Sequence, residues 1–414
     1  MTNPKLRFKQ EDGSSFAHSF SETLGNVVDI ERGGSPRPID AYLTNDPEGL
    51  NWIKIGDAPV DGTRITSVKE RIKPEGLKKT RQVRKGDLIL SNSMSFGRPY
   101  LLEVDGCIHD GWLVIRNSKQ IFDVEYLLYL LSSKTVRKQY KSLAGAGVVT
   151  NLNKELVQQV QVSIPPISEQ RKVADFFTTL DEKIALAERK LNALQTLKSG
   201  LIQKIFSREI RFKREDGSNF PDWAEVKMST MFNSIRNGFV GTIAPFYTTK
   251  ETGVRYLQGT NIHDGVISDD VEYYVTQEFN QAHRKNILKE DDILMVQSGH
   301  VGDCAVVGRY AGSNCHALIV MSNANSQKYS SDFVCYYFHS SKGRKNISLL
   351  EKGNTVKHVL ASDVAKLQML LPTIEEQKKV VSVLRQMDAK QALARQELNS
   401  LILQKQAFLQ QMFV

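Results

Sequence analysis

The chain has 414 residues, 41% of them hydrophobic and 24% charged, a balance that implies a folded protein of two or three domains and excludes a disordered polymer. No run approaches the roughly 18 consecutive apolar residues of a membrane span, and no apolar stretch follows the opening charges, so the expectation is a cytoplasmic protein with no membrane partner. A formal charge of +9 favours a polyanionic partner, and four cysteines without Cys-x-x-Cys spacing are expected as reduced, buried thiols.

Residues 1–163 form the first predicted body, mixed α and β. Short apolar runs at 52–55, 87–90 and 112–115, bounded by glycine, asparagine and aspartate, are strand signals. Between Arg64 and Lys85 lysines and arginines heavily outnumber Glu70 and Glu75, which suits either a phosphate-binding surface or an ordinary solvated face. A helix over 124–131 leads to a basic segment at 134–138 that would touch phosphate or complement the helix dipole. Base readers need hydrogen-bonding side chains on exposed loops that can enter a groove. The candidates are Arg37 with Tyr42, Lys79 with Arg81, and Ser91, Asn92 and Ser93 with Arg98.

Residues 164–206 predict a long helix. Pro165 and Pro166 halt the preceding extended chain, Ser168 is a candidate cap, and Val173, Phe177, Leu180, Ile184, Ala187, Leu191, Leu194, Lys198, Leu201 and Ile205 alternate spacings of four and three. That is a heptad seam. From residue 168 to 206 the rod would be roughly 58 Å long at 1.5 Å per residue.

The second predicted body covers 207–370, with a strand near 317–321 and a helix over 331–338 leading to a second basic segment at 341–345. Its candidate base readers are Tyr247, the turn with Gln297, Ser298 and His300, and the loop with Asn354, Thr355, Lys357 and His358. His300, Cys304, Cys315 and His316 supply nitrogen and sulfur, but their spacing matches no zinc pattern, so no metal site is expected. Residues 371–414 predict a second long helix, with Thr373 and Glu376 as a capping box and the seam Val380, Leu384, Met387, Gln391, Ala394, Leu398, Leu401, Lys405, Phe408 and Met412.

The chain is written twice. The segment at 6–16 returns at 210–220, the segment at 164–173 returns at 371–380, and lysine occupies the eighth place of both seams. The bodies have diverged and the tails have not. Two long seams bury each other most economically as an antiparallel pair, although each helix could instead pack on its own body. Antiparallel pairing would place the chain end near Leu6-Arg-Phe-Lys and give the molecule a two-fold pseudosymmetry.

Chemistry is missing from the sequence. There is no Gly-x-x-x-x-Gly-Lys-Ser/Thr loop, no Gly-x-Gly-x-x-Gly, and no Asp/Asn-Pro-Pro-Tyr/Phe signature of an adenine methyltransferase, so no catalytic residue and no cofactor bound by this chain are expected.

The order body, Pro-Pro-x-x-Glu-Gln helix, body, matching helix resembles the specificity subunits of type I restriction-modification systems. Pro165, Pro166, Glu169, Gln170 and the Leu180 to Ile184 segment carry the likeness in the first half, and Pro372, Glu376, Gln377 and the Met387 to Lys390 segment in the second. The departures are Thr373 in place of a second proline, and Gln391 and two lysines in the seam. The resemblance implies an α+β fold with two target recognition domains joined by antiparallel coiled-coil helices. It implies a bipartite double-stranded DNA target read in the major groove, with a spacer set by the helices. Its implied partners are two modification subunits, which bind S-adenosylmethionine and methylate adenine, and motor-nuclease restriction subunits. The helix packing would use Phe177, Leu180, Ile184, Leu191, Leu194, Leu201, Leu384, Met387, Leu398, Leu401 and Phe408. A subunit of a fused nuclease-methyltransferase and a non-specific scaffold remain as alternatives.

Overall fold

The computed structural model describes residues 4–60, 62–92, 96–144, 151–323 and 325–413. The chain is α+β and divides into two compact units, Met1–Glu188 with Gln396–Val414, and Arg189–Arg395. Each unit holds one body together with part of each long helix, Ile167–Phe206 and Ile374–Met412, because each body buries the start of one helix and the end of the other.

In the first unit one five-stranded sheet runs in the order Asp29–Arg32, Trp112–Arg116, Leu88–Ser91, Pro99–Leu102, Arg64–Ile65. A second runs Leu43–Thr44, Arg71–Ile72, Leu50–Ile53, Gly106–Ile108, Arg81–Val83. The second unit repeats the plan with two four-stranded sheets. These are Phe232–Asn237, Leu318–Asn323, Ile293–Val296, Cys304–Val306 and Tyr247–Thr248, Tyr273–Val275, Val254–Leu257, Asn314–Cys315. The central strands Leu88–Ser91 and Ile293–Val296 are buried throughout, which explains why they read as continuous apolar runs with no alternation.

Each body is closed by a short antiparallel ribbon just before its long helix: Phe20–Thr23 pairs with Gln161–Ile164, and Ala224–Lys227 with Gln368–Leu371. The two predicted body helices are Val124–Ser132, capped by Asp123, and Ser331–His339, capped by Ser330. The basic segments that follow do not end these helices. They begin new ones, Lys134–Leu143 and Ser341–Ser348, capped by Ser133 and Ser340. Within these segments Lys134 and Lys342 stand in first turns, where a cation faces the positive end, while Lys345 lies in the last turn of its helix and complements the dipole.

The repeated Glu-Gln pair has a structural meaning in each unit. Gln170 accepts from the Asp123 backbone N–H (2.9 Å) and donates to the carbonyls of Ile121 and Pro165, tying the start of the long helix to the body helix. Gln377 does the same with Ser330, Lys328 and Pro372. Glu169 is buried and receives Arg7 (2.9 Å), while Glu376 receives Arg211 (2.9 Å) and the Trp223 indole N–H (3.2 Å). These hydrogen bonds raise both guanidinium pKa values. The predicted capping box at Thr373 is thus corrected, because the Glu376 carboxylate turns into the body to hold Arg211. Ser168 likewise lies inside the first helical turn, which begins at Ile167.

The two readings of the seams are both partly realised. Phe177 is buried in the first core with Phe408 and Met412 of the other helix and Phe413 just past its end, the Phe177 and Phe413 ring centroids being 5.9 Å apart; Leu180 is also buried. In the second core Leu384 joins Ile202, Ile205 and Phe206, with Leu201 against them, and Met387 is also buried. Ile184, Leu191, Leu194, Leu398 and Leu401 are half-buried, whereas Leu186, Leu197, Leu393 and Leu403 face solvent.

The seam lysines find carboxylates. In the first unit Lys405 binds Asp181, which also receives the Tyr129 hydroxyl (2.8 Å); in the second Lys198 binds Asp388, which receives the Tyr336 hydroxyl. Each ammonium lies over the tyrosine ring, 5.4 Å from the Tyr129 centroid and 5.9 Å from that of Tyr336. Burial, followed by the adjacent carboxylate, pushes the Tyr129 phenol above its ordinary range, so it remains a donor. Helix directions are opposed in each contact.

The chain start is docked as the repeat requires: the Lys5 and Leu6 N–H groups donate to the Gln411 carbonyl (2.9 and 3.2 Å), as Ile210 does to Lys204 (3.1 Å). Joining residue 414 to residue 1 through a short linker and reopening the chain at Ser207 is expected to leave the far-ultraviolet circular dichroism unchanged. An unfolded permutant would contradict this docking. In a double-mutant cycle of Asp181→Asn and Lys405→Met, urea unfolding is expected to give a coupling of about 1–2 kcal/mol. Strict additivity would deny the contact any energetic role.

Candidate nucleic-acid interface

In the first body the segment at 31–37 is the common neighbour of most predicted readers. Glu31 pairs with Arg81 (2.9 Å), and a Cβ on Gly34 would lie 2.6 Å from the Lys79 carbonyl, so only glycine fits there. Lys79 sits 4.9 Å over the Tyr42 ring. Arg37 is 82% exposed with Asp110 at 3.9 Å, and the Asp110 carbonyl accepts from Asn92 (2.8 Å). Arg37, Tyr42, Lys79 and Arg81 are therefore brought to one region.

Three other candidates have partners within the body. Ser91 is buried within a sheet strand, with its hydroxyl bonded to the Arg98 backbone. Asn92 is buried and its side-chain amide N–H donates to the Asp110 carbonyl, while its backbone carbonyl accepts from the Leu152 N–H. The Arg98 guanidinium donates to the carbonyls of Val60 and Gly62. These contacts hold the three side chains to the body, and residue type alone did not reveal them. Ser93 lies outside the described residues, as does the glycine-containing segment at 145–150.

His109 and Asp110 were missed. Asp110 accepts from Ser35 (3.0 Å) and faces His109 Nε2 (2.9 Å), which makes it the hub of this region. Burial lowers the His109 pKa below the ordinary histidine value. The signal available was a His-Asp-Gly turn opening the strand at Trp112.

Of the basic run, part is spent inside the fold. Arg64 binds Glu103 and Glu125, Arg71 the Pro47 carbonyl, and Lys73 the Ala41 carbonyl. Lys78 and Arg84 remain exposed beside Lys79 and Arg81.

In the second body two candidate loops meet. The Gln297 carbonyl accepts from Val359 N–H (3.1 Å), Ser298 bridges His358, and Lys352 and His358 exchange backbone bonds (2.9 Å each) to close the loop carrying Asn354, Thr355 and Lys357. Gly353 turns this loop at φ +98°, where a Cβ would meet the Val356 carbonyl at 2.4 Å. Asn354, Thr355 and Lys357 are exposed at its tip, with Lys357 near Glu351 (2.8 Å).

His300 stacks on His263 (5.0 Å) and its Nε2 faces the carbonyls of Gly259 and Ile262. Tyr247 stands apart on the other sheet, stacked on Tyr273 and accepting from Gln258 (2.8 Å). Cys304 does not meet Cys315 or His316. Its neighbours are Cys335 and His339, while Cys315 is buried, with its pKa pushed up by burial to about 12.

Sequence and structure comparisons fit this architecture. The family model described as the type I restriction modification DNA specificity domain matches twice, at residues 21–196 and 221–403. The MjaX protein of Methanocaldococcus jannaschii, described as a type I restriction enzyme specificity subunit, is 25% identical over 391 residues, covering 88% of this chain and 85% of its own. The MjaVIII specificity subunit of the same organism is 22% identical over 318 residues, 74% of this chain and 73% of its own. The crystal structure of a type I restriction-modification S subunit from M. genitalium shares the fold at 14% identity, with a TM-score of 0.57 over 100% of this chain and 99% of that one. A doubled body, a matching pair of long helices and two family matches in register with them lead to one conclusion: the chain belongs to the type I restriction-modification DNA specificity family and carries two target recognition domains.

Proposed function

We propose that each body reads one half of a bipartite duplex target from the major groove, and that the two long helices fix the spacer between the half-sites. The observation that carries this reading is the repeated joint between body and helices, Arg–Glu, Gln–backbone and Tyr–Asp–Lys, beneath two bodies whose candidate reader loops carry different side chains. A fixed mounting with variable loops is what two versions of one task require.

In this reading the chain supplies recognition and no catalysis. Two modification subunits docked on the helices bring S-adenosylmethionine and adenine methylation, and motor-nuclease subunits complete the restriction complex. The regions at 31–37 with 79–81, and at 297–300 with 352–358, are the proposed groove-facing surfaces, where exposed Arg37 and Lys357 would contact phosphate and Asn354 a base edge.

Methylome sequencing of cells with and without this subunit tests the reading directly. It predicts adenine methylation at one two-part motif, and methylation unaffected by its loss would refute it. Within the complex, Lys357→Ala is expected to weaken all DNA sequences alike and flatten the salt dependence of log K by about 0.9. Asn354→Ala is expected to relax only the second half-site, by about 1–3 kcal/mol; loss spread evenly over both half-sites would exclude base reading. Removing seven residues from each helix between the two lysine–aspartate contacts shortens each by about 10.5 Å. The preferred spacer should then shrink by about three base pairs, given about 3.4 Å per pair, and an unchanged spacer would remove the helices from that role.

A further inference from the structure

The second body contains a cluster that DNA recognition does not use. Cys304 lies on the strand Cys304–Val306, while Cys335 and His339 stand one turn apart on the helix Ser331–His339. The two Sγ atoms are 3.2 Å apart, and His339 Nε2 is 3.8 Å from Cys304 Sγ and 3.9 Å from Cys335 Sγ. A circle through these three atoms has a radius of about 2.1 Å, against zinc bond lengths of about 2.3 Å to thiolate and about 2.0 Å to imidazole. One ion placed slightly off that plane would therefore reach all three donors with little side-chain movement.

The surroundings suit an ion. Cys335 and His339 line a groove shared with Asp264, Tyr336 and Asp388, so the cluster is open on one side. His339 is roofed by Gly265, at φ +85°, where a Cβ would come within 3.3 Å of Nε2. The repeat supplies an internal control. Cys304 pairs with Met295 as Pro99 pairs with Leu90, and counting from the helix caps Ser330 and Asp123 places Cys335 and His339 opposite Leu128 and Ser132. The first body has no ligand at any of these places and fills them with Pro99, Leu128 and Ser132.

We infer that Cys304, Cys335 and His339 form a binding site for one thiophilic divalent cation, Zn2+, with a fourth position open to the groove. Two thiolates and an imidazole on a strand and a helix select zinc over calcium or magnesium. Binding releases the two thiol protons and moves the imidazole proton to Nδ1. Nε2 gives up its present contact with the Cys304 carbonyl (3.0 Å), and Arg344, 3.3 Å from Nδ1, turns fully to Asp303, with which it is already paired. The ion ties the strand to the helix one residue from Tyr336, whose hydroxyl donates to Asp388. It would brace the joint of the second body, where the first relies on apolar packing.

The test uses the full chain, purified with a non-thiol reductant and stripped by a chelator. After incubation with Zn2+ and gel filtration it should retain about one equivalent, and its unfolding midpoint should rise by roughly 5 °C. Co2+ substitution should give the intense thiolate-to-metal absorption of a tetrahedral site. Cys335→Ser and His339→Asn should abolish retention, and Cys107→Ser should not. No retained zinc would overturn the proposal, as would a cobalt spectrum without thiolate bands in the unsubstituted chain, a result that does not depend on any variant folding.

Discussion

Each body is held to its helices by a lysine ammonium caught between the carboxylate of the opposing helix and the face of a body tyrosine. A leucine pair would seal the same space and tolerate a slip of one heptad. Lys198 and Lys405 are only 15% and 20% exposed, so a slip that removed Asp388 or Asp181 would strand a largely desolvated charge. These pairs therefore contribute to register at least as much as to stability. They also require the tyrosine, which couples the register of the helices to the docking of the body.

The Glu-Gln pair at each helix start completes the joint. The carboxylate is buried against an arginine from the segment that opens each half, and the amide satisfies two carbonyls and one backbone N–H that would otherwise be orphaned where strand gives way to helix. Because the same atoms meet in both units, the repeated short motifs mark the places where a body touches a helix. The loops that carry the proposed readers are free of these constraints, and there the halves keep a matching backbone bond, Leu152 N–H to the Asn92 carbonyl and Val359 N–H to the Gln297 carbonyl, but differ in side chains.

The halves differ inside as well as outside. One body packs proline and leucine between strand and helix where the other places two thiols and an imidazole. Duplication thus preserved the mounting and let each core find its own way of closing against it.

Much of the molecule was legible in the sequence. The repeat, both long helices, the polar lysines at matching depth and the docking of the chain start follow from spacing alone, because periodicity and repetition are local records of which face is buried. The region around Arg37, Tyr42, Lys79 and Arg81 was also foreseeable from charge and loop composition. Burial was not. Ser91, Asn92 and Arg98 have the chemistry of base readers, and only the strands beside them decide that their hydrogen bonds are spent inward. Glu376 would satisfy a capping box by its spacing, yet Arg211, distant in sequence, draws it away. Cys304 meets Cys335 and His339 through sheet register and helix packing, contacts between residues some 30 positions apart that no local spacing encodes. The sequence determined what repeats and which faces are apolar; tertiary structure alone decided which polar atoms are already satisfied, since that depends on partners brought from elsewhere in the chain.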